Sequence, residues 1–82
     1  MITRRDNLEQ ALGEVEAHTL EGVRTIVVSR QWWSRLAPGE QEAYRHRAER
    51  VAVELRADEA ISQHFVEVRG ADEGPLSTER PV

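Results

Sequence analysis

Trp32 and Trp33 stand side by side in a chain whose only other aromatic residues are Tyr44 and Phe65, with Arg30 and Arg35 flanking them. Adjacent residues on a helix point about 100° apart, so one helix face cannot bury both indoles. One ring is expected in the core and the other half-exposed over a loop, where it would anchor a partner. Trp and Arg dominate binding hot spots. Arg30 and Arg35 can cover a ring by cation–π contact or receive an acidic partner. Arg30, Trp32, Trp33, Arg35, Arg45, Arg47 and Arg50 are therefore the candidate partner-binding residues. The partner they suit is a protein with an acidic segment, or a second copy of the chain.

Residues for bond-making chemistry are scattered. His18, His46 and His64 fall in three different elements, 28 and 18 residues apart. Metal sites built on one helix usually place His or Glu at i, i+3 or i+4. Glu42 and His46 have that spacing, but a surface ion pair accounts for it. Asp58, Glu59 and His64 would meet only if residues 52–69 close into a hairpin. Ser29, Ser34, Ser62 and Ser77 sit in no Gly-x-Ser-x-Gly elbow, and no glycine-rich phosphate loop occurs. Cysteine is absent, which excludes thiolate metal sites, thiol catalysis and disulfides. A non-enzymatic protein with no catalytic, metal or cofactor residues is expected.

The charge balance is more informative than its total of −4. Residues 1–22 carry −3, residues 23–56 carry +3 and residues 57–82 carry −4, so a basic centre lies between acidic flanks. All eleven basic residues are Arg. Codon composition explains that simply, and the alternative is selection for a planar fork that grips carboxylates and phosphates. The acidic sum argues against nonspecific nucleic-acid binding. At 82 residues and 9.4 kDa the chain makes one domain. Its longest apolar run is Ile26-Val27-Val28, far below the ~20 residues that span a bilayer, and no secretory signal opens the chain. A cytoplasmic protein without membrane contact is expected. Domains this small bury only about 60% of the surface their unfolded chains expose, which leaves a homodimer open.

The elements that must position these residues are legible in outline. Asp6 and Glu9 have capping-box spacing, and Leu8, Ala11, Leu12 and Val15 recur at helical period. A helix over 7–20 is expected, stopped by Gly22, with residues 1–6 a frayed lead-in because Arg4 and Arg5 oppose the helix dipole. Val23–Val28 is β-branched at five of six positions and reads as a strand. Ser29 caps a short helix through Leu36, and Pro38 starts another. The stripe Tyr44, Ala48, Val51, Leu55 argues helix, while Val51, Val53, Leu55 alternate as in a strand. The helix is expected to reach about 51, a strand to cover 52–56, and 64–69 to pair with it as a hairpin. The Pro- and Gly-rich stretch 71–82 is expected to be a disordered tail.

The expected fold is α+β over residues 7–70: helix, strand, two helices, two strands, with helices on one face of a small sheet. This order resembles a winged helix-turn-helix domain, with residues 40–51 as the groove-entering helix and 57–63 as the wing. The acidic Asp58-Glu59 falls where that wing would meet phosphates. The strand–helix–helix–strand core is also similar to RNA-binding KH domains, but Gly39 is followed by Glu40, Gln41 and Glu42, so their Gly-x-x-Gly clamp is missing. Trp33-x-x-Leu36-x-Pro38 through Tyr44 resembles the second helix of an HMG box, over those residues alone. The leading expectation is a protein-binding or regulatory module docking through its Trp/Arg surface. A DNA-binding regulator and an accessory subunit of a larger enzyme are the alternatives.

Overall fold

The fold was obtained as a computed structural model, which describes residues 2–70 of the chain. Its elements run β1 (Ile2–Arg5), α1 (Leu8–Glu16), β2 (Val23–Ser29), α2 (Arg30–Ser34), α3 (Pro38–Arg50), β3 (Glu54–Asp58) and β4 (Val66–Gly70). This is the expected α+β arrangement of three helices over one sheet, with a strand added at the start. The expected tail, 71–82, lies outside the described residues. No described helix is long and apolar enough to cross a membrane.

The four strands lie in the order β1-β4-β2-β3, with β1 and β2 each antiparallel to β4 and β3 parallel to β2. Two expectations change here. Residues 1–6 are not a frayed lead-in: Ile2–Arg5 pairs with Val66–Arg69. Arg5 then reaches α1, its Nε donating to Glu14 Oε1 at 2.9 Å, so the charge expected to unsettle the helix end ties it to the strand. The 52–69 hairpin also does not form, because β2 lies between β3 and β4. β2 is the most apolar strand and takes a central place, which leaves the charged β3 at an edge. Residues 57–63 are therefore not the tip of a two-stranded wing, and Asp58, Glu59 and His64 are not gathered by one.

β2 is buried on both faces where its apolar run predicts: Ile26 and Val28 are fully enclosed on the helix side, and Val27 is 2% exposed on the other. Leu8, Ala11, Leu12 and Val15 of α1 pack with Ile26, Val28, Val66 and Val68 into one core, which Ala48 and Val53 extend towards β3. Ser29 is buried because it caps α2, its hydroxyl accepting from the Trp32 N–H at 3.2 Å. The cap of α1 is Asn7 rather than Asp6: its Oδ1 accepts from the Gln10 N–H at 2.8 Å.

Both longer helices close in the same way, α1 at Glu16, short of the expected 20, and α3 at Arg50, where a helix to about 51 was expected. α1 stops at Glu16, His18 turns to φ 63°, and the Thr19 N–H bonds back to the Glu14 carbonyl at 2.9 Å. α3 stops at Arg50, Ala52 turns to φ 59°, and the Val53 N–H bonds to the Ala48 carbonyl at 2.9 Å. These are Schellman closures with His and Ala in the left-handed place that glycine usually fills. Gly22 does adopt φ 75°, but at the entry to β2 rather than at the helix stop.

Candidate functional site

The α2–α3 turn decides where the aromatic rings go. α2 carries Trp32 and Trp33 for little more than one turn, then Pro38 opens α3 and sends it back over the rings. The Glu40 carboxylate accepts from the Ala37 N–H at 3.1 Å, and the Gln41 side-chain amide donates to the Trp33 carbonyl at 2.8 Å. Those two bonds satisfy backbone groups that short helices leave open. They also hold Tyr44, one turn further on, against both indoles. The centroids stand 6.3 Å apart for Trp32–Trp33, 6.1 Å for Trp32–Tyr44 and 6.4 Å for Trp33–Tyr44, with every pair tilted. That is the range in which aromatic pairs attract.

All three rings are half-buried, leaning on the core with part of each surface open. The expectation of one core indole and one exposed indole is thus replaced by a shared arrangement. α2 buries none of its residues completely, so neither Trp reaches the interior alone. Burial, aided by the charge of Glu9, raises the Tyr44 hydroxyl above its ordinary pKa, so it stays protonated at neutral pH.

The candidate arginines divide into separate groups. Arg45 lies over the Trp33 ring, its guanidinium carbon 5.4 Å from the centroid. Arg30, expected beside the rings, pairs with Glu59 at 3.1 Å, and Arg35 donates to the Gln63 side chain at 3.1 Å. Both therefore fasten α2 to the segment that links β3 and β4. Arg47 turns towards α1, meeting Glu9 at 2.9 Å and Glu16 at 2.8 Å. The hydrogen bonds to Arg47 hold the Glu16 carboxyl below its ordinary value and raise the guanidinium's own. Arg50 is the last residue of α3, lining an open groove with His18, Glu21, Val23 and Val51.

Of the seven candidate residues, only Trp32, Trp33 and Arg45 form one surface, and Tyr44 completes it. The expected Glu42–His46 pair does not form among the described residues, nor do Arg45–Glu49 and Arg50–Glu54, which have the same i, i+4 spacing. Arg45 has the indole face instead, and Arg47 takes two carboxylates from another helix. The periodicity of the chain accounts for Tyr44 only as part of the core stripe. Its second role depends on the reversal at Pro38, for which spacing along the chain carries no signal.

Around this corner the described residues form no enclosed site of ligand size. The cavity beneath Trp32, bounded by Asn7, Leu8, Ser29, Phe65 and Val66, has about 30 Å³, room for one water. A groove of about 440 Å³ between α2 and residues 59–61 is open to solvent. Among the described residues no group of three His, Asp or Glu side chains could hold a metal ion. No protein-family model, curated protein or solved structure matches the chain.

Proposed function

We propose that this protein is a small, non-enzymatic, cytoplasmic binding module with a regulatory role, docking an acidic segment of a partner protein on Trp32, Trp33, Tyr44 and Arg45. One observation carries the reading. Two helices gather three half-open rings at the surface, and the cation on that surface lies on an indole rather than on a carboxylate. A guanidinium already held over a ring loses little freedom when a carboxylate arrives. Rings that expose an edge while resting on a core are rigid anchors of the type that dominates hot spots. The neighbouring arginines 30, 35 and 47 are engaged within the chain and serve to hold the platform in place.

The test is a tryptophan-fluorescence titration with a glutamate-rich peptide that also carries one aromatic residue. Saturable binding is expected, with Arg45→Ala and Trp33→Ala each weakening it about tenfold while Arg45→Ala leaves the unfolding midpoint in place. Absence of binding, or affinity indifferent to both substitutions, would overturn the reading. Preference for duplex DNA, with affinity falling steeply as salt rises, would replace it with the nucleic-acid alternative.

A further inference from the structure

We infer that two copies of this chain pair through the open edges of β3, antiparallel and with Leu55 on the two-fold axis, making one continuous eight-stranded sheet. β3 has β2 on one side and no strand on the other among the described residues. An uncovered edge presents a row of backbone donors and acceptors to any strand of matching pattern. The pattern on this edge is specific. By alternation Glu54, Arg56 and Asp58 share the face away from the helices, while Leu55 and Ala57 lean on the core.

Glu54 and Arg56 are both exposed, and neither enters an ion pair among the described residues. The opposite edge is different. β1 is a four-residue strand whose charged members, Arg4 and Arg5, are both basic, so it offers a second copy no alternation of sign.

Sign alternation makes β3 complementary to itself in a definite register. Closed homodimers are two-fold symmetric, so the strands must run antiparallel. With Arg56 on the axis, Arg56 would oppose its own copy and Glu54 would oppose Asp58, all like charges. With Ala57 on the axis, Arg56 would meet Asp58, but Leu55 would face Glu59, which is committed to Arg30. With Leu55 on the axis, Glu54 of each copy faces Arg56 of the other, Leu55 meets Leu55, and Val53 meets Ala57. Opposite charges and apolar pairs directly across strands each stabilise the pairing.

A second feature agrees. Between α3 and the β3 edge runs an open groove of about 210 Å³, with Ala48, Val53 and Leu55 among its lining and Arg45 and Glu49 along its helix side. A second Leu55 side chain would enter that groove. The two copies of α3 would run antiparallel along the seam, each presenting one basic and one acidic residue a turn apart.

Sedimentation equilibrium over a wide concentration range tests the pairing. The wild type should reach dimer, and Arg56→Glu or Glu54→Arg alone should each weaken self-association about tenfold or more. Both positions are exposed, and circular dichroism should show each variant folded. An equimolar mixture of the two single variants should recover wild-type affinity. One chain then carries arginine at both positions 54 and 56 and the other carries glutamate at both, so every cross-strand pair joins opposite charges. A wild type that stays monomeric at every concentration would overturn the inference, whatever else occupies the edge. So would a dimer that ignores Arg56→Glu, or a mixture that fails to recover. A dimer weakened by Arg56→Glu and untouched by Glu54→Arg would refute the Leu55 register in favour of Ala57. Glu54 and Arg56 are not among the residues of the proposed docking surface, so peptide binding measured on each folded variant is read beside its self-association.

Discussion

Helix α1 buries Leu8, Ala11, Leu12 and Val15 among its nine residues, whereas α3 buries only Ala48 among thirteen. Both rest on the same face of the sheet. The first is held by apolar area removed from water, a force that is strong and without direction. The second is held by a few placed contacts, polar and aromatic: Arg47 bridging to Glu9 and Glu16, Gln41 on the Trp33 carbonyl, and Tyr44 against two indoles. A helix held at a few points leaves most of its surface uncommitted. The proposed binding corner and the proposed β3 seam both border α3.

The sharpest way to break this comparison is to open a cavity under the first helix. Leu12 is fully enclosed, so Leu12→Ala should cost about 3 kcal/mol. Urea unfolding should show a lower midpoint for the whole domain, and a loss below about 1 kcal/mol would mean that α1 is not the anchor described.

On α3 the corresponding cut is Arg47→Ala. Its side chain is 26% exposed and meets two carboxylates, so a loss of about 1 kcal/mol is expected, near the upper end for surface ion pairs. Equilibrium unfolding at low and high salt should show the difference from wild type shrinking as salt screens the bridge. A loss as large as that of Leu12→Ala would erase the distinction between the two helices.

Acid sharpens the same point. Glu16 is held below its ordinary value of 4.5 by the Arg47 hydrogen bond, and Glu14 by those from Arg5 and Gln10. A carboxylate with a lowered folded-state pKa adds stability above its unfolded value and loses it as pH falls through the folded one. The gap between wild type and Arg47→Ala should therefore be complete at neutral pH and close progressively below about 4.5. A gap that persists in strong acid would show that Arg47 acts through packing of its stem.

The smallest effect has the opposite sign. Ala52 closes α3 at φ 59°, where a Cβ is unfavourable by roughly 1 kcal/mol. Ala52→Gly should raise the thermal midpoint modestly, since the relief is partly offset by the added freedom of an unfolded glycine. His18→Gly should do the same at the end of α1. Lowered midpoints would argue that these side chains contribute contacts beyond the closures.

What local chemistry controls was readable from the chain alone. The period of Leu8, Ala11, Leu12 and Val15 specified a one-faced helix, the β-branched run at 23–28 specified a strand buried on both sides, and Ser29 and Pro38 marked two helix starts. Each is settled by neighbours within a turn or two, so the sequence determined the α+β class and most of the element order by itself. Strand neighbours were a tertiary decision. Ile2–Arg5 is too short and too polar to announce a strand, and it becomes one because β4 arrives more than sixty residues later with an open edge. β3 and β4 read as a hairpin because they follow one another, yet the apolar β2 lies between them and places the charged strand at the rim.

The same division runs through the site. Composition and charge singled out the candidate region, since the Trp pair and the basic centre coincide in the chain. Which arginine lies on a ring, which ones fasten the scaffold, and that Tyr44 joins the indoles were settled by the reversal at Pro38 and by the carboxylates α1 brings alongside. A side chain's residue type limits what it can do, but its nearest partner in space decides what it does.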